Sequence, residues 1–234
     1  GTDNFYGVFK KQVKTELSSH KGMETMMAAS ETSFADLAKQ VVDDTKKQIF
    51  KEQYDDKGNL TGKQITRYLE TISKTTDSEN EQQIRDTQNT ISSDIDLLKI
   101  KKDTLEQYKG LATNEKDKKA VEEYIAQIET SMNEYQDALK KAEQKIADMH
   151  NETVAQALAR TKKEWDTAKA KVANFDKTTG KAEALKNLKQ EAERAKKAYE
   201  ALGGITDDKE KERQQKFADD LEKQRISNYE RELA

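Results

Sequence analysis

Two histidines, no cysteine and one dense run of lysine and arginine make up most of the chemically suggestive inventory of this 234-residue chain. His20 and His150 are the only side chains whose ordinary pKa lies near neutrality. A di-metal carboxylate bundle needs Glu-x-x-His on facing helices, and the residues three positions before the two histidines are Leu17 and Ala147. The stretch Asp55-Asp56-Lys57-Gly58-Asn59-Leu60-Thr61-Gly62 invites a calcium-loop reading. It fails, because Leu60 stands where that loop needs glycine and Thr66 where it needs a bidentate Glu. The phosphate-cradling, dinucleotide and H-E-x-x-H zinc motifs do not occur. The absence of cysteine removes disulfides, thiolate zinc sites and cysteine nucleophiles. These observations predict a protein that is not an enzyme, with no cofactor, metal or small-molecule substrate.

The basic run is the remaining candidate. From Arg160 to Lys197 twelve basic residues face six acidic ones: Arg160, Lys162, Lys163, Lys169, Lys171, Lys177, Lys181, Lys186, Lys189, Arg194, Lys196 and Lys197. The whole chain carries a formal charge of -3, so this segment is basic within an otherwise acidic protein. Such a run is either a solvated helix face balanced by its neighbours or a surface that attracts anions. Most of the twelve fall off the apolar stripe and are expected to project from the helix. An anionic membrane is the partner this predicts, at about 1 kcal/mol per basic side chain near a charged leaflet. Nucleic acid is not expected, since no aromatic residues interleave with the lysines to stack bases.

These residues must be positioned by helices. Charged residues are 37% of the chain and hydrophobic ones 33%, with no proline, which suits seams between long helices better than a two-layer globular core. The fold class predicted is all-α: an elongated antiparallel bundle of three long helices and a broken fourth, forming one domain over residues 1–234. The first helix is expected from Asp3 to Tyr54, with Phe5, Phe9, Val13, Leu17, Met23, Met27, Phe34, Leu37 and Val41 as its stripe and Gly22 as a kink. The second runs from Thr61 to Lys109, with Ile84, Ile91, Leu98 and Leu105 one heptad apart. Its polar stretch Ser73 to Gln83 calls for a break or an overhang. The third carries a thin seam from Val121 through Ile125, Ile128, Met132, Tyr135, Leu139, Ala142 and Ile146 to Met149. It continues through Val154, Leu158, Trp165, Ala168 and Val172 to Phe175, with His150 at a stutter. As one helix it would be about 80 Å long.

A fourth helix with Leu185, Leu188, Ala192, Ala195, Tyr199 and Leu202 is expected to stop at Gly203-Gly204. Thr206 then caps a fifth carrying Phe217, Leu221, Ile226, Tyr229 and Leu233. No apolar run long enough to span a bilayer occurs. Gly1-Thr2 and the uncapped end at Ala234 read as the edges of a trimmed piece. Asn59-Leu60-Thr61 and Asn151-Glu152-Thr153 match the glycosylation acceptor pattern, which matters only in a secreted chain.

Three segments of the C-terminal part resemble the later helices of F-BAR domains, members of the BAR superfamily. They are Ala159-Arg160-Thr161-Lys162-Lys163-Glu164-Trp165-Asp166, then Glu193-Arg194-Ala195-Lys196-Lys197-Ala198-Tyr199, then Lys216-Phe217 leading to Leu221-Glu222-Lys223-Gln224-Arg225-Ile226. The resemblance implies an antiparallel crescent-shaped homodimer that lays lysines on anionic lipid and imposes or senses curvature. It also implies a cytoplasmic, peripheral-membrane location. The rival expectation is a structural or adhesive coiled-coil protein, secreted or at the cell surface, that binds the helices of a protein partner.

Overall fold

The structure, a computed structural model, describes residues 33–233. The stripe from Phe5 to Met27, Gly22 and His20 therefore lie outside the described residues. Seven α-helices and one short hairpin follow each other among those described: α1 Phe34–Gln48, β1 Gln53–Tyr54, β2 Leu60–Gly62, α2 Gln64–Lys74, α3 Glu81–Leu111, α4 Glu115–Met149, α5 Val154–Ala173, α6 Ala182–Ala201 and α7 Asp207–Leu233. The all-α class holds. The two strands pair antiparallel around the turn Asp55 to Asn59, where Asp55 Oδ1 accepts the backbone N–H of Lys57 and Asn59 and Gly58 takes φ +82°.

The core sits between α3 and α4, with α1 and α2 laid across them. Ile84, Ile91, Ile95, Leu98 and Leu105 of α3 and Val121, Ile128, Tyr135, Leu139 and Ile146 of α4 are all essentially inaccessible to solvent. These are the seam residues the three-four spacing predicts. On α1 Phe34 of the predicted stripe is buried, but the next two stripe positions, Leu37 and Val41, are only partly so, and Ala38 and Val42, one residue later, are buried in their place. Phe34 anchors that helix against Tyr108, ring centroids 6.0 Å apart. Its start is fixed by a capping box between Ser33 and Asp36.

The first predicted helix is not continuous from Asp3 to Tyr54: extended Ser33 starts it at Phe34, and it ends at Gln48, before the hairpin that takes in Tyr54. The next two are each divided. The second breaks at Thr75, one of the two outcomes its polar stretch called for, and resumes after a 3-10 turn at Ser78–Asn80, where the Asp77 carboxylate accepts the Glu79 N–H. The third is not one helix of about 80 Å. Its seam ends with α4, which at 35 residues spans about 50 Å. His150 and Asn151 then turn the chain, Asn151 entering the left-handed region at φ +52°. Thr153 and Gln156 form a capping box that begins α5. Of the expected continuation of the seam only Ala168 is buried: Val154 is exposed and Leu158, Trp165, Val172 and Phe175 are only half-buried.

Instead α5 and α6 make a helical hairpin, closed by small residues: Ala157, Thr161 and Ala168 on α5, Ala195 and Ala198 on α6. The predicted stop at Gly203-Gly204 is present. Gly203 has φ +97°, and a Cβ on Gly204 would collide with the Tyr199 ring. Thr206 caps α7 by accepting the Lys209 N–H.

Candidate functional site

The twelve basic residues divide into three sets. Three of them point into the protein, contrary to the expectation that the run projects from the helix. Arg194 and Lys197 of α6 are buried, and Arg160 of α5 is largely so. The physical reason is a polar junction between the hairpin and the α3–α4 pair. Gln88 occupies a seam position on α3, four residues after Ile84 and three before Ile91, and is fully buried. Its amide donates to Glu143 Oε1 of α4 at 2.9 Å, and Glu143 is fully buried as well. A carboxylate there requires a cation.

Arg160 supplies it, with Nη2 3.0 Å from Glu143 Oε2 and Nε 2.8 Å from Glu152 Oε1. Arg85 of α3 grips Glu164 of α5 in a two-pronged pair at 3.0 and 3.2 Å. Arg194 closes the junction, donating to Gln88 Oε1 at 3.4 Å with Glu164 at 3.8 Å and Glu143 at 4.0 Å. Arg85 also lies 3.6 Å from Glu81, so three arginines face four glutamates. Burial pulls the Arg160 guanidinium down, but the charges of Glu143, Glu152 and Glu164 outweigh it, so its pKa rises. Burial, reinforced by Arg85, lowers that of Arg194. One turn further along, Lys197 donates to Ser92 Oγ at 2.8 Å and pairs with Asp96 at 3.1 Å.

A second set is held on the surface. Lys162 and Lys169 both reach Asp166 and lie over the Trp165 ring, 4.7 and 4.0 Å from its centroid. Trp165 in turn stacks on Tyr199 at 6.1 Å, so it joins the hairpin's two helices at their edge instead of filling a core. Lys196 bonds Asp208 at the start of α7.

The remaining six are not buried. Lys163, Lys171, Lys177, Lys181 and Lys186 are exposed, and Lys189 is half-buried. Four of the exposed five, Lys171, Lys177, Lys181 and Lys186, surround the hairpin's outer turn, where Asp176 accepts bonds from the Thr178 hydroxyl and N–H and from the Thr179 hydroxyl. Those bonds pull the Asp176 carboxyl down to about 2, so it is ionised at any physiological pH. From Lys169 to Glu193 no residue is buried, and Phe175 sits half-buried among the lysines.

No family model, curated protein or solved structure matches the chain. The functional reading rests on geometry. Among the described residues no group of acidic or histidine side chains is placed to hold a metal ion, and no helix is long and apolar enough to cross a membrane. His150 ends α4 on the surface and bonds Glu81 at 2.6 Å, a tie between the α4 end and the α3 start, not a seam residue.

The apolar spacing on the last helix does not foretell a further surface. Every residue of α7 except Lys209 is exposed, including Phe217, Leu221, Ile226, Tyr229 and Leu233. At 100° per residue these five spread over about half the helix circumference. A partner that covered them all would have to contact the helix from two sides, as the groove between two helices does.

Proposed function

We propose that this chain is a non-enzymatic helical scaffold, an elongated and dimeric BAR-like bundle that meets anionic membrane with the outer turn of its α5–α6 hairpin. The observation that carries this reading is the unburied span from Lys169 to Glu193, with Lys171, Lys177, Lys181 and Lys186 set around Phe175. Four lysines at about 1 kcal/mol each give at most roughly 4 kcal/mol, reduced by the ionised Asp176 in the same turn, so one tip alone binds no more tightly than about millimolar. Two tips carried by one dimer convert the second contact into an intramolecular one, which is why the reading includes dimerisation.

Co-sedimentation with vesicles tests it. The protein is expected to pellet with anionic but not neutral vesicles at low salt and to be released at high salt. Reversing Lys171, Lys177, Lys181 and Lys186 to Glu is expected to abolish pelleting. If the parent protein stays in the supernatant with anionic vesicles at low salt, the membrane reading fails. If the reversed variant still pellets, the tip is not the contact.

A second reading, a structural protein that assembles through helices, is favoured by α7. Its five exposed apolar side chains are more than a solvated helix needs. Light scattering during size-exclusion chromatography is expected to find the intact chain associated and a chain lacking residues 207–233 dissociated. An intact chain that is monomeric at all accessible concentrations would remove this reading.

A further inference from the structure

On α7 the apolar side chains form two strips that no other described element covers. Ile226, Tyr229 and Leu233 are 48, 62 and 72% exposed, and at 100° per residue they lie within about 60° of one another. Phe217 and Leu221 make the second strip, turned away from the first. One helix packed on α7 can cover one strip and leave the other. The sequence holds a strip of matching length outside the described residues: Phe5, Phe9 and Val13 recur at intervals of four.

The course of the chain brings the two strips within reach. The N-terminal segment enters the bundle at Ser33, next to Phe34, whose ring lies against Tyr108 near the end of α3. The first turn of α7 starts beside the same helix, where Lys209 and Lys99 line one cavity, and Lys99 is about 14 Å along α3 from Tyr108. From Val13 to Ser33 the chain can extend up to about 65 Å, whereas Ile226 stands about 29 Å along α7 from Asp207. Past Lys209 every residue of α7 is exposed, so this helix leads away from the bundle. A segment that returns along it to Ser33 runs antiparallel to it. Phe5, Phe9 and Val13 then come opposite Leu233, Tyr229 and Ile226, to within one residue.

Charge selects this occupant over a second α7. Phe5 to Lys21 holds four lysines against one glutamate, whereas Phe217 to Leu233 holds five acidic residues against three basic ones. The segment therefore attracts α7, while two copies of α7 would set like-charged helices side by side.

We propose that residues 5–21 of the same chain fold back as a helix onto α7, seating Phe5, Phe9 and Val13 on Leu233, Tyr229 and Ile226. The tether holds the segment at an effective concentration on the order of millimolar, so at micromolar protein each chain closes the contact on itself. The strip of Phe217 and Leu221 stays open, and the proposal rests neither on assembly through α7 nor on the membrane reading.

The chain has no cysteine, so an introduced pair forms the only disulfide possible within it. The full chain carrying Phe9→Cys and Tyr229→Cys is oxidised at micromolar concentration and run on a non-reducing gel, beside a control carrying Phe9→Cys and Leu221→Cys. The first pair is expected to close within one chain at least about tenfold faster than the control. Equal rates overturn the proposal, and so does a disulfide that joins two chains, which would make a second copy the occupant. Hydrogen exchange of the cysteine-free chain gives a second readout. Amides of residues 224–233 are expected to exchange at least about tenfold more slowly in the parent than in the variant Phe5→Asp, Phe9→Asp, with the α3 and α4 amides alike in both. Equal exchange in α7 overturns the proposal. A monomer in light scattering removes the assembly reading and leaves both of these expectations standing.

Discussion

Replacing Glu143 by alanine is expected to lower the free energy of unfolding by about 3–5 kcal/mol, the usual cost of removing one partner from a buried ion pair. Glu143 is wholly inaccessible and holds Gln88 at 2.9 Å and Arg160 at 3.0 Å. Without it, the Gln88 amide loses its acceptor and Arg160 keeps only Glu152 and the longer 3.4 Å contact to Glu164. Arg194 is then left beside Arg85, the charge that already opposes its protonation, with one carboxylate fewer nearby. Denaturant unfolding measures the loss. For a chain of this length the midpoint of thermal unfolding should fall by roughly 10 °C. Because the penalty comes from unpaired charges, replacing Glu143, Arg160 and Arg194 together by methionine should cost less than the sum of the three single changes. A loss below about 1 kcal/mol for the alanine variant would mean the junction is solvated and contributes no more than a surface pair.

This junction is half legible in the sequence. The seam itself can be read, since apolar side chains at three-four spacing have one low-energy arrangement on a helix. That is why Ile84 through Leu105 and Val121 through Ile146 fall where the spacing puts them. Gln88 escapes such a reading because a search for apolar positions passes over a polar residue in the same phase. A glutamine in a seam is itself a signal that a buried partner exists, although it does not name Glu143. The partner is 55 residues away and its identity depends on how α3 and α4 register.

The break after Met149 also has a local signal in the sequence, one that the apolar stripe hides. Thr153 and Gln156 form a capping box inside an apparently continuous stripe, preceded by Asn151, a residue that tolerates the left-handed region. The stripe on α5 misleads because periodicity does not report which face meets a neighbour. Ala157, Thr161 and Ala168 face α6, since small side chains let two helices approach, while Trp165 lies at their edge. The same blindness affects the lysines. Spacing separates stripe from non-stripe positions, yet Arg194 and Lys197 lie off the stripe and are buried because a second pair of helices covers that side.

The other large effect is expected to run in the stabilising direction. Asp94 of α3 accepts the Tyr68 hydroxyl of α2 at 2.7 Å beneath the α1–α2 connection. Burial pushes its carboxyl up from 3.8 to about 6, opposed by the Tyr68 bond and by the charge of Lys51. Tyr135, edge-on to Tyr68 at 6.3 Å, has a buried hydroxyl with no hydrogen-bond partner, and burial followed by the Asp94 charge raises its pKa. A folded-state pKa above the unfolded one means that the folded protein holds its proton more firmly. Stability from this group is therefore complete below about pH 4 and is lost as pH rises through about 6. At neutral pH the ionised carboxylate is a liability. Asp94→Asn keeps an acceptor for Tyr68 and removes the charge, so it should stabilise the protein at pH 7.5 by about 1–2 kcal/mol, a figure discounted for the partial exposure of the site. The gain should shrink to nearly nothing at pH 4. Urea unfolding of parent and variant from pH 4 to 8 would show the difference rising around pH 6. A difference that stays constant across that range would mean that Asp94 titrates as an ordinary surface carboxylate.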